Sequence, residues 1–137
     1  MAGNAGHVSE LRLVVTAKDY ESALTFYRDV LGLEEQESYE SNGGHVTILV
    51  AGRATLELND QPYADYIDEV EVGRRVAGHI RVAFEVERTA ATTADLVEAG
   101  AQLVAPPTVT PWNTLNARLE APAELQLTIF GPTHEEA

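Results

Sequence analysis

The sequence has no cysteine, a single lysine (Lys18), one tryptophan and one methionine. Without cysteine there is no thiol catalysis, no cysteine-ligated zinc and no disulfide, which fits a reducing compartment, so a cytoplasmic location is expected. No apolar run approaches the roughly 20 residues that span a bilayer. Basic residues are scarce: 9 Lys and Arg stand against 22 Asp and Glu, for a net charge of −13. An acidic surface repels phosphate backbones and anionic lipid, so neither nucleic acid nor membrane is expected as a partner. The same charge keeps the chain soluble and could attract a cationic small molecule.

What is present suffices for one domain. A chain of 137 residues buries about two-thirds of its unfolded surface, so no structural metal is needed to hold it. The opening MAGNAGHVSE has no basic region followed by an apolar core and is read as a tail, not a secretory signal. THEEA is read as a tail at the other end, with His7 and His134 as solvent residues. LRLVVT (11–16) alternates as a half-buried strand. Asp19 is placed to cap a helix over Tyr20–Leu31, and Gly32 to end it with positive φ. Strands follow at 33–40, 45–50 and 54–58. After NDQPYADYIDEVEVGRRVAG (59–78), a partly apolar linker expected to pack on the surface or cover a site, the order recurs. HIRVAFE (79–85) is a strand, 89–99 a helix ended by Gly100, 101–104 a short strand, Pro106 to Pro111 a rigid loop, and 115–120 and 125–130 are strands. The two strand-helix-strand-strand-strand units form a repeat of about 50 residues: module one at about 9–60, linker 61–77, module two at about 78–132.

LRLVVTAKDYESALTFYRDVLGL resembles the opening of vicinal-oxygen-chelate proteins (glyoxalases, bleomycin-resistance proteins, ring-cleaving dioxygenases). The resemblance rests on a strand, Asp19, a helix bearing Phe26-Tyr27, and Leu31-Gly32 at its end. GHIRVAFEV and LVEAGAQLVAPP are similar to that family's second module. The resemblance implies an α+β fold in which two βαβββ modules form a curled, cup-shaped mixed sheet with helices on the convex side. Phe26 and Tyr27 would then be packing residues. It implies many possible activities and selects none.

Alternation sorts the expected lining. With Leu11, Leu13 and Val15 toward the helix, Arg12, Val14 and Thr16 face the cup. Likewise Thr55 and Glu57 oppose Leu56 and Leu58; His79, Arg81, Ala83 and Glu85 oppose Ile80, Val82 and Phe84; Asn116, Arg118 and Glu120 oppose Leu115, Ala117 and Leu119; Gln126 and Thr128 oppose Leu125, Leu127 and Ile129. His45, Thr47 and Leu49 are assigned to the cup against Val46, Ile48 and Val50, although this strand is apolar on both sides. Trp112, in the Pro-bounded loop, could stack on a flat ligand or merely cover the core.

Metal-dependent relatives carry four ligands on four strands, and the resemblance puts those positions at Arg12, Glu57, His79 and Thr128. Arg12 cannot ligate and stays charged, so no metal is expected; a pairing of Arg12 with Glu57 is the expectation in its place. A divalent metal rebuilt from Glu57, His79 and His45 is the alternative. His79 is left as a structural residue, a ligand contact, a metal ligand or a proton shuttle. The expectation is a small-molecule-binding homodimer of the glyoxalase/bleomycin-resistance type that works without metal. Its ligand-contact candidates are Arg12, Val14, His45, Thr47, Glu57, His79, Arg81, Trp112, Asn116, Arg118, Gln126 and Thr128. The alternatives are a lyase, isomerase or dioxygenase-like enzyme using Glu57 and His79, and a domain acting only through protein contacts.

Overall fold

The computed structural model describes residues 8–134, so the readings of residues 1–7 and 135–137 lie outside it. The fold is mixed α+β, with strands β1 (Val8–Thr16), β2 (Glu34–Ser41), β3 (Gly44–Ala51), β4 (Ala54–Asn59), β5 (Ile80–Val86), β6 (Gln102–Val109), β7 (Thr114–Ala121) and β8 (Leu125–Pro132). The helices are α1 (Tyr20–Leu24), α2 (Gln61–Glu71) and α3 (Thr89–Glu98). The chain divides into two compact units, Arg12–Arg81 and the remainder.

In the unit Arg12–Arg81 the strand order is β2-β3-β4-β1. β2–β3 and β3–β4 are antiparallel and β1–β4 is parallel. Asp19 caps α1 as expected, accepting from the Ser22 amide at 3.0 Å. The helix then widens: Thr25–Val30 is wound as a π-helix, and the Leu31 amide reaches back five residues to the Phe26 carbonyl. Gly32 follows with φ +86°, a conformation that other residues adopt only with strain. Leu24 packs on Leu49 and Leu58, with Val15, Tyr20, Tyr27 and Leu56 around them. Phe26 departs from the expected packing role. It is 57% exposed and meets Tyr27 edge-on, while Tyr27 packs against the core.

The largest departure is the linker, which contains α2. Asp60 accepts from the Tyr63 amide and Pro62 sits in the first turn, where its missing amide costs nothing. Tyr63, Ala64, Ile67, Asp68 and Glu71 recur at helical spacing and are buried. Gly44 permits the docking, because a Cβ there would collide with the Tyr63 and Pro62 backbone. Past the helix, Asp68 accepts from the Val76 and Ala77 amides, both at 2.8 Å, and pins the chain back.

The other unit carries β5-β8-β7-β6, with β5–β8 parallel and the remaining pairs antiparallel. Val86, Ala117, Leu119 and Ile129 form its core, joined by Phe84, Leu96 of α3 and Ala101. β6 runs through Pro106 and Pro107, where a rigid loop was expected. It is an edge strand with two register shifts, a setting that tolerates proline. Val8, Ser9 and Glu10, read from sequence as tail, are strand, and the Ser9 hydroxyl donates to Glu85 Oε1 at 3.0 Å. Among the described residues no helix is long and apolar enough to cross a membrane.

Candidate functional site

Register decides which side chains share a face. In β1 and β4, Arg12 lies opposite Thr55, Val14 opposite Glu57 and Thr16 opposite Asn59. In β3 and β4, Ile48 lies opposite Glu57, whereas Leu49 lies opposite Leu56 and Thr47 opposite Leu58. Leu49, Leu56 and Leu58 pack with α1, so Thr47 and Leu49 share its side. The Tyr20 hydroxyl of α1 bonds Thr47, and its ring stacks on His45 with centroids 5.6 Å apart. The expected placement of His45 and Thr47 beside Glu57 is therefore corrected. Val46, Ile48 and Val50 face Glu57 instead. Alternation was ambiguous here because both faces of β3 are buried.

Glu57 is 9% exposed and centres the polar face of this unit. Arg12 Nη1 stands 3.7 Å from its Oε1. Burial raises the Glu57 carboxyl above the usual carboxylate range; Arg81 and Arg12 pull it back, and Glu71 of α2 pushes it further up. Tyr63 of α2 belongs to the same field: burial, then Glu57, push its hydroxyl up to about 12. Sequence reasoning missed both α2 residues. Their signal was the spacing of Tyr63, Ile67 and Glu71, hidden because buried acids alternate with the apolar positions.

The second repeat shows which residue answers to Arg12. Val14 lies opposite Glu57, and Ala83 lies opposite Thr128. Two residues back along each strand are Arg12 and Arg81, so the repeat equates these two arginines. His79 precedes β5 and lies elsewhere. With Thr16, Lys18, Asp60, Gln61 and Gly78 it lines a half-open cleft of about 570 Å³. Asn59, on the Thr16 face, is 1% exposed and accepts from the Thr16 hydroxyl at 3.2 Å, but its Nδ2 finds no partner among the described residues.

In the other unit Arg118 is fully buried and donates to Gln126 Oε1 at 2.8 Å; Gln126 Nε2 donates to Glu120 Oε1 at 3.0 Å. Thr128 lies opposite Arg118, and Asn116 accepts from the Thr114 hydroxyl at 2.6 Å. Trp112 is half-buried in the turn between β6 and β7.

The donor set does not suit a divalent metal. The charges that act on Glu57 include two guanidiniums, which repel a cation and cannot ligate one. Among the described residues no group of three or more His, Cys, Asp or Glu is placed to hold a metal ion.

The fold has many solved counterparts. A hypothetical protein of Bacillus halodurans C-125 superposes with TM-score 0.65 at 16% identity, over 96% of this chain and 97% of that one. A methylmalonyl-CoA epimerase of Streptomyces coelicolor, solved with 2-nitronate-propionyl-CoA, gives 0.62 at 17% over 98% and 99%. A glyoxalase/bleomycin resistance protein/dioxygenase superfamily member of Vibrio splendidus 12B01 gives 0.61 at 10% over 88% and 97%. No curated protein sequence matches. The family model for the Glyoxalase/Bleomycin resistance protein/Dioxygenase superfamily matches residues 6–129. With this coverage, and with both repeats in their expected strand order, the chain belongs to that superfamily.

Proposed function

We propose that the protein binds a small organic ligand without a metal, at the face where Arg12 meets Glu57. The observation that carries this reading is the Arg12–Glu57 pair at 3.7 Å, with Arg81 in the same field. Two guanidiniums act on this carboxyl, and burial opposes its charged form, so the face is one at which an incoming oxyanion would meet positive charge. Arginine's planar fork suits a carboxylate or an enolate-like oxygen. The ligand is therefore read as carrying an anionic or strongly polarised carbonyl group, in preference to the cationic guest that net charge alone would favour.

A second reading has its own support. A buried carboxyl with a raised pKa, flanked by cations, is equipped to move a proton to or from a ligand carbon or oxygen. Under it Glu57 is the acid–base group, and Arg12 and Arg81 stabilise developing negative charge. His79 lies in the cleft wall, outside that step.

Calorimetric titration with a panel of small carboxylates and aromatic cations, on protein purified without chelator, tests the binding reading. Saturable carboxylate binding that Arg12→Met weakens at least tenfold is expected. Preference for cations, or stoichiometric metal lost in Glu57→Ala, would overturn it. Solvent deuterium appearing in a bound ligand, lost in Glu57→Gln, would establish the second reading.

We also infer a cytoplasmic homodimer. The absence of cysteine supports the location. Phe26, Val30 and Leu31, 57%, 76% and 60% exposed at the end of the α1 segment, support the dimer. Sedimentation at micromolar concentration should give twice the chain mass, and a monomer would refute it.

A further inference from the structure

His45 stands between two carboxylates. Its Nδ1 is 2.9 Å from Asp60 Oδ2 and its Nε2 is 3.1 Å from Glu40 Oε2. A neutral imidazole carries one N–H and one lone pair, so it can donate to only one of them; the other carboxylate would then face a lone pair. Only the imidazolium satisfies both contacts. Among the described residues, the charges that act on the ring are acidic: α1 presents the Tyr20 ring and the Glu21 charge, β2 presents Glu40, and the end of β4 leads to Asp60. Hydrogen bonding to Asp60 is the main cause that raises the His45 pKa above its ordinary 6.5; burial opposes it, and the charges of Asp60, Glu40 and Glu21 add to it.

Asp60 gives this proton a reach beyond the ring. Its Oδ1 accepts from the His45 amide at 2.9 Å and from the Tyr63 amide at 3.1 Å, which makes it the cap of α2. Asp60 also lines the cleft beside Lys18 and His79. Gly44, next to His45, is where the α2 backbone rests. One residue therefore ties the β2–β3 hairpin to the start of α2 and to one wall of the cleft, and α2 carries Tyr63 and Glu71 into the field of Glu57.

We propose that His45 is a proton-operated latch: charged, it clamps Glu40 and Asp60 and holds the first turn of α2 in place at the cleft, and neutral, it lets go of Glu40 and loosens that turn. The latch is independent of which ligand the Glu57 face receives. A histidine whose folded-state pKa is raised contributes stability fully below its ordinary value, and that contribution is lost as pH rises through the folded value. The cleft wall is accordingly firm in mild acid and slack in mild base.

The test is an NMR titration of the intact chain from pH 5 to pH 9, following the His45 ring together with the backbone amides of Tyr63 and Ala64. All three signals should move with one midpoint above 6.5. In His45→Gln the amide titration should vanish while circular dichroism stays native. Glu40→Gln, at an exposed strand position, should lower the shared midpoint and serves as the check should the first variant fold poorly. A midpoint at or below the ordinary histidine value, or Tyr63 and Ala64 amides that titrate unchanged in His45→Gln, would overturn the latch.

Discussion

Glu57 and Thr128 occupy the same place in the two repeats: the last strand of each βαβββ unit, opposite Val14 in one and Ala83 in the other. Their surroundings differ. Glu57 is a buried acid contested by Arg81, Arg12 and Glu71. Thr128 stands beside a finished network in which Arg118 is tied through Gln126 to Glu120. The first unit has a further helix, α2, after its last strand, and α2 brings Tyr63 and Glu71 into the field of Glu57. A duplicated backbone thus supports two uses of one face. A satisfied polar network rigidifies, while an acid with a displaced pKa keeps chemistry available.

The sharpest way to break this contrast is to truncate the arginines. Arg118→Ala removes a fully buried side chain and the hydrogen bond it donates to Gln126 Oε1, and should cost about 3 kcal/mol or more in urea unfolding. Arg12→Ala removes a side chain that is 18% exposed and should cost no more than about 1 kcal/mol, while weakening ligand binding. Equal losses would mean that both arginines are structural. A smaller effect concerns the helix that only the first unit has. Gly44→Ala drives a methyl into the Tyr63 and Pro62 backbone and should destabilise by about 1–3 kcal/mol, read from the same unfolding midpoint. An unchanged midpoint would show that α2 rests loosely on β3.

The finest comparison is by pH. An acid whose pKa is raised on folding takes up a proton as the chain folds, so its contribution falls as pH climbs from the unfolded value near 4.5 through the folded value. Carboxyl NMR should place Glu57 above that ordinary value. Glu57→Gln should flatten the corresponding slope of stability against pH, at about 1.4 kcal/mol for each unit of displacement removed. Thr128→Ser, at the matching position of the other repeat, should leave the slope as it was.

Much of this arrangement was legible beforehand. The expected strands in both modules, the Asp19 cap and the Gly32 stop follow from local patterns whose physics acts within a few residues. The placement of Arg12 with Glu57 followed from alternation along β1 and β4, where one face is apolar and the other polar. The same rule inverted His45 and Thr47, because β3 is buried on both faces and its pattern has no preferred side. The linker concealed α2 because Asp68 and Glu71 occupy buried positions that a helix ordinarily fills with apolar residues. Alignment by motif chose His79 as a site position, whereas register equates Arg81 with Arg12. The exposed Leu13 and Ile80 likewise show that parity assigns a face without saying whether a helix covers it.

By itself the sequence determined the order of elements within each repeat, the repeat, the Asp19 cap and the Gly32 stop, because these depend on residue type and on contacts close along the chain. Which arginines surround Glu57, which acid joins it from α2, and which carboxylates flank His45 were decided only by the tertiary structure. Those groups are brought together by strand register and helix docking across tens of residues, and the free energy of a buried charge depends on the neighbours that folding delivers.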